Sequence, residues 1–205
     1  DALKLTNGAK AVIGLQPYAT DVKTSGHTIE VELKVSNISE REGVLLSCIE
    51  TLENGAERGF KITGQTLAYF TGSSTEEVDT ENLDEDGNPL RSIVPVAVQH
   101  RFTEDKRMRV AFVIGKSSDP TKRVIEMYVD GARCAAMSYA LTDIMKQDTP
   151  KYITLQSDTA DLYVYSVYVY NDALNDDSLV NNHTVGRPST EEMFDLFEDN
   201  AVLNE

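Results

Sequence analysis

At 205 residues and 40% hydrophobic composition, the chain is long enough to bury one large core as a single domain. Its 19 basic and 34 acidic residues leave a net charge of −15, which repels phosphate backbones and anionic bilayers and argues against nucleic acid as a partner. No stretch approaches the roughly 18 consecutive apolar residues of a spanning helix, so membrane insertion is not expected. The start, Asp1 to Leu15, lacks the charged n-region and apolar core of a secretory leader. Opening on Asp1 rather than Met fits a trimmed tag, a removed leader or a piece of a longer protein.

The first clear element is Thr28 to Val35. Ile29, Val31, Leu33 and Val35 alternate with Thr28, Glu30, Glu32 and Lys34, which predicts a strand with one face in a core and the other in water. Further strands are predicted at Val44 to Glu50, Phe60 to Thr63, Leu67 to Thr71, Ile93 to Phe102, Met108 to Ile114, Val124 to Val129, Arg133 to Ser138 and Tyr152 to Gln156. Most are bounded by Gly, Asn, Asp or Pro. Asp130-Gly131 is the strongest hairpin signal, because that dipeptide readily takes the positive φ angles of a type I′ turn. From Asp161 a run alternating β-branched and aromatic residues passes through Asn171-Asp172 into a short polar helix start at Asn175 to Asn182. Ser189, Glu192, Met193, Leu196 and Phe197 then predict a capped amphipathic helix to about Asn200, packed on the domain or on a partner. The count of strands implies two packed antiparallel sheets: an all-β sandwich over 1–186, followed by a C-terminal helix in 187–205.

Cys48 and Cys134 lie far apart in apolar segments and form no metal knuckle or redox pair; buried free thiols are expected, with one long-range disulfide as the alternative. His27, His100 and His183 share no spacing that would converge on a metal or support a nucleophile.

Taken together, Thr28-Ile-Glu-Val-Glu-Leu-Lys-Val35, the pair Arg109-Val-Ala-Phe-Val-Ile114 and Val124-Ile-Glu-Met-Tyr-Val-Asp-Gly131, and the closing Tyr165-Ser-Val-Tyr-Val-Tyr-Asn-Asp-Ala-Leu174 resemble the concanavalin A-like, laminin-G-like jelly-roll superfamily. The closing strand running into Leu174 to Asn182 is similar to such domains in bacteriophage tail and other virion proteins. The resemblance implies a two-sheet antiparallel jelly roll. It speaks less to function, because the superfamily holds lectins, glucanases and plain assembly modules.

Three groups of residues bear on that choice. Glu77-Val-Asp79-Thr-Glu81 resembles the Glu-x-Asp-x-Glu signature of laminarinase- and lichenase-type glucanases, and strand alternation would put its carboxylates on one face for retaining hydrolysis. Its flanks are polar and loop-like, however, and the chain has no Trp for a sugar platform, so a non-catalytic protein with an acidic solvated loop is expected. Asn82, Asp84 and Asp86 before Gly87 resemble the opening of a calcium loop, but the twelfth position is Ile93 rather than a bidentate Glu, and the same residues serve as turn chemistry. Asp158 and Asp161 are candidate rim ligands for calcium. No cofactor is otherwise implied. Tyr163, Tyr165, Tyr168 and Tyr170 share one strand, and Tyr128 has the parity opposite to Ile125, Met127 and Val129. Such rings either fill a core or stack on sugar faces, with Arg109 or Glu126 bonding the hydroxyls. Tyr128 and Tyr168 are the candidate ligand-binding residues.

The resulting expectation is a non-catalytic carbohydrate-binding or attachment module of a virion or extracellular protein, with a cell-surface glycan as partner. The alternative is a purely structural module that contacts sibling virion or parent-protein domains.

Overall fold

The structure, a computed structural model, describes residues 2–6, 8–14, 26–38, 43–141, 152–170 and 172–185. Among the described residues, twelve strands form two antiparallel six-stranded sheets, with one short helix following them. In chain order the strands are β1 (Leu3–Leu5), β2 (Lys10–Gly14), β3 (His27–Ser36), β4 (Val44–Thr51), β5 (Glu57–Thr63), β6 (Thr66–Leu83), β7 (Pro89–Arg101), β8 (Met108–Lys116), β9 (Lys122–Val129), β10 (Ala132–Ala140), β11 (Tyr152–Ser157) and β12 (Asp161–Tyr170). The helix, α1, spans Asp176–Val185. The first sheet runs β1-β12-β3-β8-β9-β10 and the second β2-β11-β4-β5-β6-β7. This is the expected all-β sandwich with a short helix after its last strand; the helix predicted at Ser189 to Asn200 and the unit 187–205 lie outside the described residues.

Alternation builds the core. Val31, Leu33 and Val35 of β3, Val110 and Phe112 of β8, and Ile125 and Met127 of β9 turn inward from the first sheet. They meet Leu46, Phe60, Ile62, Leu67, Tyr69 and Leu155 of the second. Phe112 ties the layers together, its ring stacked 5.0 Å from Phe60 and tilted 4.8 Å from Tyr69. Cys48 is buried in this core and Cys134 half-buried, and both are free thiols. Gly59 on β5 sits at φ 118°, and a Cβ there would come within 2.0 Å of the Cys48 carbonyl oxygen on β4, so only glycine permits that close strand approach.

The Asp130-Gly131 turn joins β9 to β10 with φ of 51° and 79°, the type I′ signature. Two strands escaped the sequence reading. β1 and β2 have three and five residues and are held by pairing to β12 and β11. A larger difference lies in β6 and β7, which continue past the sandwich as a two-stranded arm where an acidic loop was expected.

The face of β3 expected to be wet is dry. Thr28 is fully buried and Glu30 and Glu32 are each 2% exposed, because α1 and the β12 side chains fold over the outer face of the first sheet.

Candidate functional site

The outer face of the first sheet gathers the chemistry. Strict alternation along β12 would place Tyr163 and Tyr165 on one face and Tyr168 and Tyr170 on the other. A β-bulge intervenes: Val164 pairs with Leu33, but Ser166 pairs with Glu32, so Tyr165 is the inserted residue and the parity flips. All four rings consequently stand on the outer side, while Val167 and Val169 pack against the core.

Cations back these rings. Lys34 lies 4.7 Å and Lys4 5.3 Å from the centre of Tyr163, Arg107 sits 4.0 Å over Tyr165, and Arg109 lies 5.8 Å from Tyr168. Carboxylates lie between them. Arg107 Nε donates to Glu32 at 2.8 Å, and Arg109, itself 5% exposed, approaches the other Glu32 oxygen at 3.8 Å. Glu30 accepts from the Tyr170 hydroxyl at 2.8 Å and from Asn182 Nδ2 at 3.0 Å. Burial and that bond push the Tyr170 hydroxyl up to about 12, so it remains a proton donor across the physiological range. Buried charges need compensation: Glu32 is ion-paired with Arg107 and Arg109, while Glu30 is held by hydrogen bonds from Tyr170 and Asn182.

Helix α1 completes the arrangement. Asn175 caps it, its side-chain oxygen accepting from the Ser178 N–H at 2.9 Å, and Asp176 and Asp177 complement the positive end. At the other end Arg109 Nη1 donates to the Asn182 carbonyl, one of the orphan carbonyls of the last turn. Leu179 packs on Ala111, Val113 and Tyr128.

The two tyrosines singled out from sequence therefore have different fates. Tyr128 is 2% exposed beneath α1, its hydroxyl donating to the Asp176 carboxylate, and its ring is not open to a ligand. Tyr168 is 47% exposed at the margin of the helix-covered area, with Arg109 buried beneath it and Tyr170 beside it at 6.3 Å between ring centres. Sequence reasoning missed Glu30, Glu32, Arg107 and Asn182. For Glu30 and Glu32 the one signal was the charge alternation in β3, which read as a solvated face; nothing in the sequence marked Arg107 or Asn182.

The other candidates lie elsewhere. Glu77, Asp79 and Glu81 are exposed on the β6–β7 arm. Asp79 is occupied by Asn82 Nδ2 at 2.7 Å and by the N–H groups of Glu81 and Asn82, bonds that hold its carboxyl below the usual range. Asp84 accepts from the N–H groups of Asp86 and Asn88, closing the arm's turn. Asp158 accepts from Gln156 and Ser47, while Asp161 is paired with Lys4 at 2.8 Å. Among the described residues no three His, Cys, Asp or Glu side chains converge as a metal site. A cavity of ≈ 410 Å³ lies near Ile38, Gln65, Arg101 and Glu104, without a tyrosine in its lining.

No protein-family profile matches the sequence, and no curated protein sequence is significantly similar to it. Solved structures do share the fold. The binding domain of botulinum neurotoxin DC in complex with SialylT superposes with a TM-score of 0.60 at 10% identity, over 92% of this chain and 43% of that one. The serotype D binding domain gives 0.58 at 11% identity, over 90% and 42%. A botulinum neurotoxin type C structure, described as depending on two ganglioside molecules for cell entry, gives 0.60 at 8%, over 91% and 45%. This chain thus spans less than half the length of each, and at such identity the likeness is one of fold: a jelly-roll-like β-sandwich.

Proposed function

We propose that this chain is a non-catalytic carbohydrate-binding module that seats a glycan against Tyr168. The observation that carries the reading is the open Tyr168 ring standing over Arg109 beside the Glu30–Glu32 carboxylates. An aromatic plate supplies stacking for the apolar face of a sugar, and the buried Arg109–Glu32 pair and the Tyr170–Glu30 bond beneath and beside it hold that plate in place. A similar β-sandwich in a botulinum neurotoxin DC binding domain in complex with SialylT, and in a type C neurotoxin described as interacting with two ganglioside molecules, supports the reading by analogy of fold alone. In this reading the module is concanavalin A-like and works outside the cell or on a virion, as the attachment part of a larger protein.

The test is an array of bacterial and host glycans, probed with the whole chain in calcium-containing buffer. Related glycans should bind reproducibly, and Tyr168→Ala should weaken the best of them at least about tenfold, the equivalent of ~1.4 kcal/mol, with the circular dichroism spectrum unchanged. A blank array, or full binding by Tyr168→Ala, overturns the assignment. A second reading, an assembly module with no sugar ligand, is favoured by the exposed arm of β6 and β7.

A further inference from the structure

Every residue from Ser74 to Ile93 is exposed. These residues form the arm, in which Ser74 to Asp79 of β6 pair with Leu90 to Pro95 of β7. Six such pairs reach about 20 Å at the usual strand rise. An isolated two-stranded ribbon is marginally stable in water, and a third strand or a packed face is what makes such a ribbon persist. Here neither is present among the described residues: β5 pairs with β6 only as far as Thr71, and β7 is the last strand of its sheet. The arm also exposes Val78 (47%), Leu83 (57%), Leu90 (44%) and Ile93 (70%), four of the nine large apolar side chains described as exposed.

The two edges of the arm differ. Pro89 and Pro95 interrupt β7, removing N–H groups and blunting that edge against pairing. From Ser74 to Leu83, β6 contains no proline, so its edge can accept a strand.

Register sets the chemistry of that strand. Opposed pairs share a face, so Thr75, Glu77 and Asp79 lie with Leu90, Ser92 and Val94, while Glu76 and Val78 lie with Arg91 and Ile93. Arg91 bridges Glu76 at 3.1 Å and is the only cation bridging an arm carboxylate among the described residues. Glu77 and Asp79 therefore present negative charge along one face of the open edge, with Val78 and Ile93 offering apolar surface on the other. We propose that the arm docks an extended segment of a partner protein by strand addition along Ser74 to Asp79. The segment alternates basic residues, opposite Glu77 and Asp79, with an apolar residue opposite Val78. Like charge disfavours the alternatives on hand. The same edge of a second copy is equally acidic, and residues 186–205 of this chain carry six carboxylates against one arginine.

The probe is a synthetic heptapeptide alternating Lys with Ile or Val, labelled and titrated with the whole chain at low salt by fluorescence anisotropy. Saturable binding is expected. A peptide of identical composition with its lysines in one block should bind at least tenfold more weakly, and so should the alternating peptide N-methylated at every second amide. In the protein, Glu77→Lys with Asp79→Lys, and separately Val78→Ser with Ile93→Ser, should each cost at least tenfold. All four side chains are exposed, so circular dichroism should show both variants folded. Equal binding of the blocked and alternating peptides, or retention of binding by either variant, overturns the proposal. Concentration-dependent dimerisation in sedimentation velocity that Glu77→Lys abolishes would also overturn it, by assigning the edge to a second copy. Arm variants should leave glycan binding at Tyr168 unchanged, so the two readings fail separately.

Discussion

His27 opens β3 opposite Ile114, on the inward side of the first sheet, and its Nδ1 is buried with no hydrogen-bond partner among the described residues. Burial, with a smaller contribution from the Arg58 cation, lowers its pKa from 6.5 to about 4. Between those values the unfolded chain binds a proton that the native state refuses. The contribution of His27 to stability is therefore intact above pH 6.5 and is lost as pH falls toward 4. Integrating the two titrations from about pH 7.5 to about pH 5.2 gives a loss of about 1.7 kcal/mol, an order-of-magnitude figure. That window also keeps a chain of net charge −15 away from its acidic isoelectric point. Because the protein has no Trp, urea unfolding is best followed by far-UV circular dichroism, with midpoint and slope fitted at each pH. His27→Leu keeps an apolar side chain of similar reach and removes the titration. The two proteins differ only at this side chain, so the difference between the two curves is the diagnostic quantity. The variant should equal or exceed the wild type at about pH 7.5 and overtake it by about 1.7 kcal/mol at about pH 5.2. Parallel stability curves would refute the reasoning and place His27 in a solvated setting.

Two further outcomes follow from the same packing. Leu179 is 1% exposed and is the buried anchor of α1, so Leu179→Ala should cost about 2–4 kcal/mol locally. Hydrogen exchange should show α1 amides losing protection while β8 and β9 keep theirs, and a uniform loss would mean the helix is not a separable unit. Burial pushes the Cys48 thiol up to about 12, and Cys134 is also raised, with its Sγ–H directed at the Met127 carbonyl at 3.2 Å. A thiol reagent at about pH 8 should leave Cys48 unmodified in the native protein and modify both cysteines in denaturant; rapid native reaction of two equivalents would contradict the core assignment.

The sandwich was legible because a two-residue period reports burial on one side. Val31, Leu33 and Val35, or Ile125 and Met127, could hardly be placed otherwise, and Asp130-Gly131 fixed a hairpin between two such runs. What was not legible has specific physical causes. The bulge at Tyr165 leaves no mark in composition, since Val164-Tyr165-Ser166-Val167 reads equally well in either register; only the pairing with β3 shows that four tyrosines share a face. The burial of Glu30 and Glu32 depends on α1 and on Arg107 and Arg109, residues about 75 to 150 positions away in the chain, so a charge alternation that normally means water here means a paired network. Tyr128 has the outward parity its position suggested, but the helix that covers it carries a single buried leucine, too weak a pattern to announce a lid.

The arm was missed for the converse reason. Residues 74–83 have no alternation of apolar and polar groups because neither of their faces meets the core; β6 and β7 stay paired there in a register that shifts from that of their buried halves between Phe70 and Ser74. Hydrophobic periodicity measures how a strand packs on its own domain, and it falls silent where a strand has nothing of its own to pack on. At both surfaces assigned a partner here, the sequence signal departs from the structure. On the first sheet, polar residues are buried in a network that leaves Tyr168 open; on the arm, apolar residues are exposed along an edge that no strand among the described residues fills. A chain selected only to fold would resolve both departures locally, by making Glu30 and Glu32 apolar and by ending β6 near Thr71. Their coexistence with an otherwise consistent core is the physical argument that the Tyr168 face and the arm are there for something outside the domain.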